Sequence, residues 1–186
     1  MANDVTKVSA GKPKIGGAIF AAPKGTTMPT DSTTALSSEF KCLGYVSEDG
    51  LTNANSPSIE TIKAWGGDTV LTTSSERPDT FSFKLLEILN VDVLKFVYGS
   101  TNVTGNLEAG IEVKVNNDAT DEVALVIDMI LRGNATKRIC VPDCSVTEVS
   151  DITYVDNDAV GYETTVTAIP DSNSNTHYEY IKAATT

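Results

Sequence analysis

Residues able to do covalent or acid–base chemistry are sparse: one histidine, His177, three cysteines, Cys42, Cys140 and Cys144, and a chain otherwise rich in carboxylates. His177 lies in SNSNTHYEY, a polar stretch running into a short strand, and reads as a surface or edge-strand histidine with no partner fixed beside it for general base work. A thiol nucleophile needs a base held next to it, and no cysteine has such a setting. The odd cysteine count argues against a disulfide framework. A zinc site from all three cysteines and His177 is conceivable, but CVPDC has no second ligand pair nearby, and Pro142 with Asp143 reads as a turn. GKPKIGGA offers Gly17 and Ala18 where a phosphate loop needs Lys and a hydroxyl residue. DNDAVGYE begins like a calcium loop with Asp156 and Asp158, then fails at Val160 and at Thr167. No spacing singles out a catalytic pair among the carboxylates. That leaves KAWGGDTV, residues 63 to 70, with the only tryptophan. Trp65 beside Asp68 could stack on a sugar or a base while Gly66 and Gly67 admit a ligand to the backbone. Alternatively, a strand ends or bulges at the glycines.

The elements that must position these residues are mostly strands. In DTFSFKLLEI, Phe81, Phe83 and Leu85 alternate with Ser82 and Lys84, the pattern of a half-buried strand. LEAGIEVKV repeats it, with Leu107, Ala109, Ile111, Val113 and Val115 inward and Glu108, Glu112 and Lys114 outward. EVALVIDMIL is an apolar strand interrupted by Asp128. AIFAA, FKCLGYV, SIETIKAW, RICVP, SVTEVSDITYV, VGYETTVTAI and HYEYIK complete a mainly β chain, separated by Gly, Asn, Asp and Pro clusters. In VGYETTVTAI, Tyr162, Val166 and Ala168 can pack while Glu163, Thr165 and Thr167 face water. ILNVDVLKFVYG predicts one short helix, capped by Asn90 and closed by Gly99, that must lie on a sheet to be stable.

The 186 residues predict a single domain with a flexible N-terminal arm over about 1–14 and long loops over about 25–38 and 74–79, the last as the tip of a long hairpin. A net charge of −11 disfavours gripping nucleic-acid phosphates. No apolar run approaches a membrane span and the start lacks the hydrophobic stretch of a signal peptide, so the chain is expected to be made in the cytoplasm.

EDGLTNANSPSIETIKAWGGDTV, TFSFKLLEILNVDVLKFVYGSTNVTG and RICVPDCSVTEVSDITYVDNDAVGYETTVTAIPD, in that order, resemble the major tail tube proteins of long, non-contractile-tailed bacteriophages. The resemblance implies an antiparallel β-sandwich or half-barrel with one short flanking helix, a structural virion protein and not an enzyme, with no cofactor. Six copies would close into a ring. Stacked rings would form the tail tube through which DNA leaves without specific binding, after assembly in the host cytoplasm. The tape measure protein would lie inside, and tail terminator and distal tail proteins at the ends. Trp65, Gly66, Gly67 and Asp68 then belong to a long hairpin with a glycine bulge that carries self-association. Glu108, Glu112, Asp128, Glu148 and Glu163, on faces read as outward, are the candidate acids of the lumen. The competing reading is an acidic β-sandwich that binds carbohydrate or acts as an adhesive module, with Trp65 as its platform.

Overall fold

Strands with one apolar face must pair laterally and cover that face. In the computed structural model, which describes residues 3–184, the strands do so around one helix. Their order is β1 (Lys12–Pro13), β2 (Ile19–Pro23), β3 (Lys41–Cys42), β4 (Val46–Asn55), β5 (Ser58–Lys63), β6 (Thr69–Glu76), β7 (Asp79–Leu85), helix α1 (Val91–Tyr98), β8 (Val103–Asn106), β9 (Gly110–Val113), β10 (Val123–Ile130), β11 (Thr136–Val149), β12 (Tyr162–Ala168) and β13 (Tyr178–Lys182). The main sheet runs β3-β2-β10-β11-β12-β7-β4, every pairing antiparallel, with β1 added to β10 and β13 to β11. The sheet does not close on itself, so the molecule is a half-barrel with free edges at β3 and β4.

The core fills one side of this sheet. Phe81, Phe83 and Leu85 of β7 point into it beside Leu125 and Ile127 of β10 and Val166 of β12, and α1 contributes Val93, Leu94, Phe96 and Val97. Phe96 stacks on Phe83 with ring centroids 6.2 Å apart. The helix begins where the Asn90 side chain accepts a hydrogen bond from the Asp92 N–H (3.0 Å) and ends at Gly99. Eight residues hold a helix poorly alone, and burial of large apolar side chains at about 1.5–3 kcal/mol each supplies what propensity does not.

A second, smaller cluster lies across the sheet: Ala22, Phe40, Ala124, Val126 and Cys140, covered by Met28 and Leu36 of the 25–38 segment. That segment has no regular structure but is tied down. Ser32 is buried with its hydroxyl 2.7 Å from that of Thr136, and Asp31 accepts from the N–H groups of Thr33 and Thr34, both at 2.6 Å. β10 is therefore covered on both faces.

Four expectations change. SSERPD is not a hairpin tip and 74–79 is not a loop: Ser74 to Glu76 belong to β6, and the tip lies at Trp65 to Gly67. LEAGIEVKV is not one strand, because β8 and β9 turn over Leu107 to Ala109, where Asn106 accepts the Ala109 N–H (2.8 Å). Gly105, at φ +87°, lets the two backbones meet, since a Cβ there would lie 2.0 Å from the Gly110 carbonyl oxygen. Leu107 and Val115 are exposed. Pro142 and Asp143 form no turn; they sit within β11 at a register shift against β10, a bulge that suits a residue without an N–H. Finally, β11 ends at Val149, and residues 150–161 are irregular.

Candidate functional site

β4 and β7 pair from Leu51–Phe83 to Asn55–Asp79, and β5 and β6 prolong the same ribbon from Ser58–Glu76 to Lys63–Thr69. The result is a hairpin whose outer half stands off the body. Its turn is closed by the Gly67 N–H on the Ala64 carbonyl (3.0 Å) and the Ala64 N–H on the Asp68 carbonyl (2.8 Å). Gly66 and Gly67 have φ of +122° and +101°, values that side chains disfavour, and nothing surrounds them. The glycines make the turn, while the bulge falls next to it, where Val70 is extra between the Ile62–Leu71 and Lys63–Thr69 pairs. Trp65 at the corner is fully exposed, and Ile59, Ile62, Val70 and Leu71 are each more than half exposed. Ile62 pairs with Leu71 on one face of the ribbon, Ile59 lies on the other by alternation, and Val70 stands in the bulge between. Two apolar faces without cover are unusual in a monomer.

On the side of the main sheet away from α1, the half built from β4, β7, β12 and the C-terminal end of β11 is polar, beside the half that the 25–38 segment covers. Thr52 and Ala54 of β4 lie beside Ser82 and Thr80 of β7; next come Thr165 and Thr167 of β12, then Ser145 and Glu148 of β11. Hydroxyls pair across it, Ser82 with Thr165 and Thr147 with Thr167, both at 2.9 Å. Glu163 and Glu148 are exposed here, and Lys84 is the residue paired opposite Glu163. Glu108 and Glu112 are also exposed, but on the separate β8–β9 ribbon.

Asp128 is a correction: it does not face outward. It is buried on the β10 face covered by the 25–38 segment. Arg138, also buried, donates Nε to its Oδ1 (2.6 Å) and an Nη to its Oδ2 (2.8 Å), and Lys14 Nζ approaches at 3.1 Å. The guanidinium also donates to the carbonyls of Asp31 and Thr34 (3.1 and 2.7 Å). Burial opposes ionisation of Asp128, but Arg138 and then Lys14 outweigh it and hold the carboxyl below the ordinary aspartate range. The charge within an apolar run is visible in the sequence; its partner ten residues on is set by the β10–β11 register, which places Arg138 opposite Asp128.

His177 is likewise not a free surface histidine. Its Nδ1 meets the buried carboxylate of Asp79, and its ring abuts Phe81 edge-on with centroids 5.4 Å apart. Asp79 also accepts from Thr176 and from Asn53 (2.8 Å), so it ties the segment before β13 to the root of the hairpin. Burial again opposes its ionisation, and the bonds from Thr176, Asn53 and His177 leave its carboxyl below the ordinary range. Cys140 and Cys144 are buried thiols pushed up to about 12 by desolvation, which makes neither a nucleophile at neutral pH. Among the described residues no three His, Cys, Asp or Glu side chains gather as a metal site, and no helix is long and apolar enough to cross a membrane.

What the described residues do assemble is surface: an open-edged antiparallel sheet with a hydroxyl-rich face and an apolar ribbon projecting from it, the features of a protein that works by packing against other proteins. The chain belongs to the phage tail tube protein family, whose model, described as "Phage tail tube protein", matches residues 2–186. It is thus a structural protein of a phage tail. No curated protein matches the sequence.

Proposed function

We propose that six copies of this chain close into a ring and that the rings stack into the tail tube, the conduit for DNA on ejection. The polar face spanning β4, β7, β12 and β11 carries the reading: the core and α1 lie behind it, and the sheet that bears it ends in unpaired edges. Continuing the sheet from one copy to the next would remove those edges and turn the face toward a common axis. The lumen would then present hydroxyls with Glu148 and Glu163, Lys84 partly offsetting the acids. Such a lining offers a duplex nothing to grip and a weak repulsion reaching about 8–10 Å. Glu108 and Glu112, on the other ribbon, are secondary candidates.

The hairpin around Trp65, Gly66, Gly67 and Asp68 would carry contacts between copies. In the virion the tube would enclose the tape measure protein and meet the terminator and distal tail proteins at its ends, after synthesis and assembly in the host cytoplasm. No catalytic or cofactor role is proposed. The carbohydrate-platform reading loses ground because the only charged side chains flanking Trp65 at the turn are Lys63 and Asp68, too few groups to orient a sugar.

Purified protein at raised concentration or ionic strength is expected to show rings or hollow tubes by negative-stain electron microscopy. Light scattering and images that hold only monomers under every condition would overturn the proposal.

A further inference from the structure

The apolar hairpin tip has a complementary receptor elsewhere on the chain. Between Ser47 and Gly50, β4 swings away from β7, since Val46 pairs with Leu85 and the next pair is Leu51 with Phe83. The bulge and the N-terminal segment around β1 bound a groove of about 710 Å³ whose floor reaches Ile19, Leu51, Ile127 and Met129. Lys12 stands on the wall formed by the N-terminal segment and Glu48 on the wall formed by β4; both are exposed. Among the described residues neither has an ion-pair partner.

The tip mirrors this layout. Trp65 projects between Lys63, the last residue of β5, and Asp68, just before β6, both exposed and without an ion-pair partner among the described residues. An indole buries on the order of 150–250 Å² on docking, and the groove offers it an apolar floor with Lys12 on the N-terminal wall and Glu48 on the β4 wall. Lys14 and Glu87 also line it but are engaged, Lys14 with Asp128 and Glu87 with the Tyr45 N–H and the Asn90 side chain. The tip cannot serve its own groove: roughly 46 Å of extended chain, at about 3.3 Å per residue, leads from Leu51 in the groove away to Trp65.

We propose that Trp65 of one copy docks in this groove on a neighbouring copy, with Asp68 against Lys12 and Lys63 against Glu48. Each copy then carries one plug and one socket, a head-to-tail contact that closes into a ring or runs along a tube. The inference rests on the assembly proposed above and names the partner surface of its hairpin.

Two measurements test it. In the unaltered chain, whose only tryptophan is Trp65, assembly should shift the emission to shorter wavelength and abolish quenching by iodide. In a Cys42→Ser background, Lys12→Cys combined with Asp68→Cys should give disulfide-linked oligomers on oxidation after assembly, while either cysteine alone should not. Tubes in which Trp65 stays quenchable overturn the docking and leave the tail tube reading intact. Trp65 shielded in tubes of the double variant that yield no disulfide also overturns it, because the tip then sits elsewhere. Absence of any assembly in the unaltered chain overturns both.

Discussion

At the level of single residues, the buried charges determine how the chain responds to mutation and acid. Asp128 and Arg138 satisfy each other across β10 and β11, and Arg138 also holds the 25–38 segment through two carbonyls. Removing one partner strands the other in a place water cannot reach. Asp128→Ala is therefore expected to cost about 3–5 kcal/mol in urea unfolding, far more than Glu148→Ala on the exposed face. Asp128 and Asp79 both have folded values below the ordinary aspartate value of about 3.9. In acid the unfolded chain thus binds more protons than the folded one. Their stabilisation is complete above that value and is lost as pH falls through the lower folded values. Melting temperature should drop as pH is lowered below about 4, and Asp79→Asn should make the drop shallower; an unchanged acid profile in that variant would remove Asp79 from the account.

At the level of elements, the hairpin and the helix should separate assembly from folding. Gly66→Val and Gly67→Val each force a branched residue into positive φ at about 1–3 kcal/mol, but at positions where an added Cβ meets no atom within 4 Å. Circular dichroism is expected to be retained, with the melting temperature lowered by no more than about 2–4 °C per kcal/mol, while tubes disappear in electron micrographs. Loss of the dichroism signal would instead make the turn a folding requirement, and normal tubes would remove the hairpin from assembly. Asn90→Ala, which deletes the helix cap, should do the reverse: about 1 kcal/mol less stable to urea, with tubes unaffected.

For the whole molecule the net charge of −11 governs how copies meet one another and DNA. Like-charged subunits repel across a Debye length, so salt should favour tube formation, seen as scattering that rises with ionic strength at constant protein concentration. Duplex DNA should not bind at physiological salt. Lys14 is engaged with Asp128 and Lys137 with Glu179, which leaves no cluster of free cations among the described residues to gather phosphates. Fluorescence anisotropy with a labelled duplex is the check, and salt-sensitive micromolar binding would contradict the conduit.

The amino-acid order by itself determined whatever depends on neighbours along the chain. Alternation predicts the faces of β7 and β12, so Phe81, Phe83, Leu85, Tyr162, Val166 and Ala168 are buried as their spacing requires. Asn90 and Gly99 likewise bound the helix. What failed rests on partners distant in sequence. Asp128 reads as outward only if one face of β10 is wet, and a segment about a hundred residues earlier covers it. The turn residues of SSERPD, 74–79, predict a hairpin tip there, but β7 pairs with β4 and β12 while β6 pairs with β5, so the chain reverses at the glycines beside Trp65. Period-two patterning states which way a side chain points relative to its neighbours; which strands pair, and what covers the far face of the sheet, is decided by the competition of all strands for partners, which only the folded chain resolves.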